Sequence, residues 1–323
     1  MITTDKSKQP VILAARRTVV GRFMGGLSRV PSTEIGSWAI QAAVEDAGIN
    51  PTSIDECVMG CVLQAGVGQN PSRQAGLKAG LPNTLSAVTI NKVCGSGLQA
   101  VMQAAQSIKA GDTNIVVAGG MENMSNAPHL AHVRSGIKFG EGKLIDHMQY
   151  DGLTCPFENW GMGCAAEWTA EEFTISREDQ DAYSAQSHQR AAHATKEGWF
   201  DAEHITLQAA QVKQRADVMQ DEGVRDDITA ESLGKLRPAF AKEGTVTAGN
   251  ASQLSDGGAA IIVASPKTEG EVLARIVDYH TQGVDPKAIF TAPGLGIASL
   301  LERNNLTRAD IDLFEINEAF AVQ

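Results

Sequence analysis

"VTINKVCGSGLQAVMQAAQSIKAGDTNIVVAGG", residues 88–120, decides the fold class. Val88, Thr89, Ile90 and Val93 favour a strand. Leu98, Val101 and Met102 set an apolar face at helical spacing, and "NIVVAGG" (114–120) reads as a buried strand. Strand, helix and strand in succession make a βαβ unit. Cys94 sits at its first seam, followed by Gly95-Ser96-Gly97. Two readings of that thiol compete. One is a small buried hydrophobe, as most free cysteines are. The other is a nucleophile at a helix N-terminus, where the dipole favours the thiolate and lowers its pKa.

The neighbouring segments repeat the alternation. "VILAA" (11–15) reads as a strand, "STEIGSWAIQAAVEDAG" (32–48) as an amphipathic helix capped by Ser32 or Thr33 and ended by Gly48, and "IDECVMGCVL" (54–63) as a strand. "PSRQAGLKAG" (71–80) opens on proline and closes on glycine, the asymmetry of a short helix. This order predicts an α/β protein with a largely parallel sheet covered on both faces. From about Met121 to Gly249 the pattern turns irregular, apart from a helix in "SREDQDAYSAQSHQRAAHATKEG", which Ser176 and Asp179 would open. Alternation resumes with "GGAAIIVAS", "VLARIVDYH" and "IDLFEI", each read as a strand.

Composition excludes several classes. The 323 residues carry a formal net charge of −11, which argues against nucleic acid and anionic membranes as partners. No apolar run reaches the roughly 18 residues of a membrane span. No long apolar segment follows "MITTDKSKQP", so a secretory signal is not expected. The five cysteines (57, 61, 94, 155, 164) lack both a disulfide framework and zinc-ligand spacing, so the expected setting is a reducing cytoplasm without metal.

A repeat organises the chain. "AIQAAVEDAGINPTSIDECVMG" (39–60) and "GIASLLERNNLTRADIDLFEIN" (296–317) align without gaps at an offset of 257. Ile40 then corresponds to Ile297, Val44 to Leu301 and Ile49 to Leu306. The expected organisation is an N-terminal half over 1–120, an inserted loop domain over 121–249, a return strand and helix over 250–270, and the start of a second half over 271–323. At that offset the counterpart of Cys94 falls beyond Gln323, so the C-terminal part of the second half is expected to be missing.

Five motifs in order, "GQNPSRQA" (68–75), "NKVCGSGLQA" (91–100), "GGMENMS" (119–125), "LRPAF" to "SDGGAA" (236–260) and "NEAFA" (317–321), resemble the thiolases, acetyl-CoA acetyltransferases and 3-ketoacyl-CoA thiolases. The resemblance implies two similar halves in a layered α/β/α/β/α core with a loop domain over the site. It implies ping-pong Claisen condensation or thiolysis with acetyl-CoA, 3-ketoacyl-CoA and CoA as substrates, no further cofactor, a homodimer or homotetramer, and a place in fatty acid metabolism. By it Cys94 matches the acyl-accepting nucleophile and Asn317 an oxyanion-hole asparagine. Independently of the family, Asn317 suits a helix N-cap after "LFEI".

The resemblance places Arg225 and Ser232 near the nucleotide of CoA, and Ala248 and Ser252 along the pantetheine. Met162 and Phe320 are the expected contacts of the acyl group. Lys213, Arg215, Arg225, Lys235, Arg237 and Lys242 concentrate positive charge where CoA phosphates would bind, or form a solvated face. The family's Gly-His-Pro segment and second catalytic cysteine have no match here, and "NWGMG" places Gly161 where short-chain members carry histidine. The alternative reading is an inactive, CoA-binding thiolase-like protein.

Overall fold

The structure is a computed structural model that describes residues 5–323; the first four residues of the expected N-terminal half lie outside the described residues. Its centre is an eight-stranded mixed sheet. Five strands carry it: β1 (Val11–Thr18), β2 (Glu56–Gly60), β3 (Ser86–Ile90), β4 (Ile115–Asn123) and β5 (Ser255–Ala264), in the spatial order β1-β5-β4-β2-β3. β2 pairs in parallel with both β3 and β4. β5 runs antiparallel between β1 and β4, with Ala264 opposite both Val11 and Ile115. The expected largely parallel sheet is therefore corrected to a mixed one. The physical reason is the insertion: the chain leaves the sheet past Asn123 and re-enters at the same end, which forces an antiparallel return. The far edge of β1 is covered by two short strands, His204–Ile205 and Ala274–Arg275.

Strand alternation sorts side chains between two helical layers. Cys57 and Met59 of β2 point into a core shared with Ala39, Ile40, Ala43 and Val44 of α1 (Ser32–Asp46) and Ala75 of α2 (Pro71–Lys78). Val58 points the other way, against Ala100, Ala104 and Ile108 of α3 (Ser96–Ala110). α3 lies very close to the sheet because Gly60 leaves room: a Cβ there would come within 2.6 Å of Ser96 Cβ. α1 has Pro31 at its N-cap, with no side-chain bond from Ser32 or Thr33, so neither expected cap forms. Both are buried inside the first turn instead. α2 opens at Asn70, whose side chain accepts the Arg73 N–H.

The insertion carries α4 (Met162–Glu172), α5 (Arg177–Lys196) and α6 (Ala230–Gly234). Its start differs from expectation, since β4 continues to Asn123 and pairs there with Asp256. Ser176 caps α5 by accepting the Asp179 N–H, as its sequence suggests.

The C-terminal region behaves differently. "VLARIVDYH" gives only the two-residue strand Ala274–Arg275, "IDLFEI" forms no strand, and no helix follows β5 before residue 271. α7 (Ala292–Arg303) does form, and none of its residues is buried. The expected strands are corrected for one reason: apolar residues make a strand only where a neighbouring strand satisfies their backbone, and Leu313, Phe314 and Ile316 are exposed with no ladder beside them. Among the described residues no helix is long and apolar enough to cross a membrane.

Candidate active site

Cys94 stands between β3 and α3 on a tight turn. Val93, just before it, has φ +49°. A β-branched residue in the left-handed region is strained, and such outliers concentrate at functional turns. Ser96 holds the turn: its hydroxyl donates to Val93 O (2.6 Å) and accepts the Lys92 N–H (2.8 Å). Lys92 Nζ donates to Gln99 and to Thr281, tying the turn to α3 and to the C-terminal region.

The Cys94 residue is exposed, the only one of the five free cysteines in that class. Its thiol nevertheless lies above the usual range. Shielding of the sulfur from water is the largest cause, its backbone hydrogen bond works the other way, and the Glu122 carboxylate raises it further. This direction is opposite to the lowering that a helix N-terminus alone would give. α3 begins only at Ser96, and the nearby carboxylate adds to the cost of a thiolate.

Glu122 is a site residue that the sequence reading left unassigned, although "GGMENMS" contains it. It follows the apolar run of β4 and accepts the N–H groups of Val62 (2.8 Å) and Leu63 (3.1 Å) and the Cys61 thiol. Burial pushes the Glu122 carboxyl up, while these bonds and His147 oppose the rise. His147 is buried, accepts the Ala65 N–H at Nε2 (3.3 Å) and bonds Asp151 through Nδ1. A charged residue closing a buried strand was the available signal for Glu122. Cys57 and Cys61 are buried and their thiols are pushed up to about 12, which leaves them as packing groups at neutral pH.

A second feature is a cleft of about 530 Å³. It brings together Arg225, Ala248 and Ser252 with Tyr183, Ser187, His188 and Glu318. Its floor is a short antiparallel pairing: Ser252 N–H donates to Ala319 O (3.2 Å), and Ala321 N–H to Asn250 O (2.9 Å). Asn250 is buried and anchors that floor by donating to Asp181 (3.0 Å) and to Thr245 O (3.0 Å). At the His188 side, Arg225 N–H donates to Nδ1 (3.4 Å), and burial followed by the Arg225 charge lowers the imidazole pKa.

The other expected residues lie outside the lining of this cleft. Ser232 spends its hydroxyl in a capping box with Thr229 at the start of α6. Of the six basic residues, Arg225 alone lines the cleft, and Lys235 pairs with Glu231 on the surface. Met162 begins α4, and the adjoining Gly163 packs against the Phe240 ring. Phe320 stands edge-on to Phe240 (6.2 Å) and Phe290 (5.3 Å). Phe320 therefore belongs to an aromatic cluster that Gly163, the residue after Met162, also touches. Asn317 is exposed in an irregular segment. No helix follows it, so the N-cap reading falls.

Comparison with known proteins bears on this arrangement. The thiolase N-terminal domain model matches residues 10–267, and the thiolase C-terminal domain model matches residues 270–323. The C-terminal domain is thus represented by residues 270–323, and the expectation that the C-terminal part of the second half is missing is not borne out. A probable acetyl-CoA acyltransferase of Staphylococcus aureus (strain COL) is 46% identical over 319 residues, 97% of this chain and 81% of that protein. An acetyl-CoA acetyltransferase of Cupriavidus necator is 49% identical over the same shares. The crystal structure of the Bacillus anthracis acetyl-CoA acetyltransferase superposes with a TM-score of 0.92 at 39% identity, covering 97% of this chain and 81% of that one. The sheet, the cysteine turn and the domain matches agree: the chain belongs to the thiolase family of acyltransferases.

Proposed function

We propose that the protein transfers acyl groups between CoA thioesters through an acyl-Cys94 intermediate, with acetyl-CoA, CoA and 3-ketoacyl-CoA as substrates and acetyl transfer as the main reaction. The observation that carries this reading is Cys94, the one exposed cysteine, on a strained turn between strand and helix. Its thiolate attacks the thioester carbonyl, the carbon–sulfur bond to CoA breaks, and CoA leaves as the thiolate, so one thioester replaces another. A base that takes the thiol proton as the sulfur attacks would assist this step. In the cleft, Arg225 supplies positive charge for CoA phosphates, and Ala248 and Ser252 line a course for the pantetheine. Met162 and Phe320 would meet the acyl group, and Asn317 would donate to the thioester oxygen as it gains charge, a contribution of about 3 kcal/mol in comparable sites.

The test is exposure to acetyl-CoA or acetoacetyl-CoA followed by peptide mass spectrometry. The acetyl group is expected on the peptide carrying Cys94, and Cys94→Ser should remove it without loss of fold. Label on Cys57, Cys61, Cys155 or Cys164 in its place would reject the assignment.

A further inference from the structure

Glu318 lines the cleft and is tied to α5 through both oxygens of its carboxylate. Its Oε1 accepts the hydroxyl of Tyr183 (2.7 Å) and its Oε2 the hydroxyl of Ser187 (2.7 Å). Tyr183 and Ser187 lie four residues apart, so they project from one face of α5 and meet both oxygens of one carboxylate. Directly after Glu318, Ala319, Phe320 and Ala321 pair with Asn250–Ser252 in the floor of the cleft. Directly before it stands Asn317. The 317–321 turn is thus gripped from two sides, by α5 through Glu318 and by the 250–252 segment through its backbone.

We propose that Glu318 is a positioning residue: it ties the 317–321 turn to α5, and so sets Asn317 and the floor of the cleft in fixed register. Each carboxylate oxygen accepts a hydroxyl of α5, which makes Glu318 a brace between the turn and that helix. The inference rests on the acyl-transfer reading for its kinetic consequence, but the brace itself can be observed without catalysis. Displacement of a positioning turn by about 1 Å can cost on the order of 100-fold in rate.

The brace has its own spectroscopic signature. The chain has three tyrosines, and the hydrogen bond to Glu318 raises Tyr183 above the usual phenol range, aided by burial and by Glu315 and opposed by Arg190. In an ultraviolet phenolate titration of the full chain, E318A should shift one tyrosine toward lower pH, and Y183F should delete that same transition. In parallel, acetylation of Cys94 by acetyl-CoA should slow about tenfold or more in E318A. E318Q should recover most of the rate, because its amide keeps an acceptor for Tyr183 and can donate to Ser187. The double variant Y183F/S187A, which leaves the turn's own sequence intact, should slow acetylation by a similar factor. Acetylation at the wild-type rate in either E318A or Y183F/S187A overturns the inference, and so does an unmoved tyrosine titration in E318A. A wild-type chain that never acetylates would instead reject the acyl-transfer reading, and the titration would still decide the brace.

Discussion

α1 and α7 are the two copies of one repeated helix, and they live in opposite environments. Offset by 257, α1 ends at Asp46 and α7 at Arg303. The short 3-10 turns Pro51–Ser53 and Arg308–Asp310 correspond exactly, and so do the left-handed residues Gly48 (φ +63°) and Asn305 (φ +53°). Yet α1 buries nine residues against β1, β5 and β4, whereas α7 buries none. The strand that follows also parts company: Glu56–Gly60 is the centre of a parallel ladder, and the corresponding 313–317 has no ladder at all. Helices, caps and turns are written locally, because their hydrogen bonds close within a few residues. A strand is written only jointly with its neighbour.

The largest expected contrast is in backbone opening. Amides of α1 should exchange only on global unfolding, against about 5–15 kcal/mol for a typical domain, and those of α7 by local fraying. Hydrogen exchange should therefore differ by at least about a thousandfold between the two helices. Protection in α7 within tenfold of α1 would show that its exposed apolar face is covered in solution.

Core truncation should sharpen the same contrast. Ile40 is completely buried, so Ile40→Ala should cost about 2–5 kcal/mol. Its counterpart Ile297 is only half-buried, and Ile297→Ala should cost under about 1 kcal/mol. Urea midpoints measure both, and equal losses would contradict the difference in packing.

The smallest effect tests where the two copies agree. A Cβ at Gly48 would meet nothing within 4 Å, so Gly48→Ala carries only the backbone penalty of a left-handed alanine, about 1 kcal/mol. Asn305→Gly should change stability by only about a few tenths of a kcal/mol, because asparagine already tolerates that conformation. A large loss at Asn305 would mean that its side chain does more than permit the turn.

The same distinction explains what could be read from the residues alone. The runs around Val11, Val58 and Val116 became strands because neighbouring strands flank them and their side chains are buried, whereas Val88, exposed on the edge strand, is held by the ladder to Glu56–Gly60. "IDLFEI" carries as strong a pattern, but pattern reports what a segment would bury, and Leu313 finds nothing to bury against. The direction of β5 was invisible for a related reason, since it depends on where a long insertion returns. At the site, Cys94 was legible from its turn residues, and its raised thiol was not, because the shielding of the sulfur from water, and the Glu122 charge after it, arise only in the fold. Arg225, Ala248 and Ser252 do share a cleft, whereas Ser232 is the third helical residue of a capping box with Thr229, a pairing that the local sequence, Thr229 to Ser232, already offered.

The antiparallel return of β5 also governs when the protein can finish folding. Val11 meets Ala264, and Arg17 meets Ala259, across almost the whole length of the domain. Such contacts have high sequence separation, which slows folding by the entropy of closing the loop. During synthesis, β2, β3 and β4 can form their parallel ladder with α2 and α3 once Asn123 has emerged, but β1 has no neighbour in the sheet. Apart from the two-residue pairing of Arg17 and Thr18 with His204–Ile205, it must wait as an apolar strand without its main partner until Ser255–Ala264 leaves the ribosome and slides between β1 and β4. The interval of translation across the insertion is therefore the period in which the nascent chain most needs protection from association.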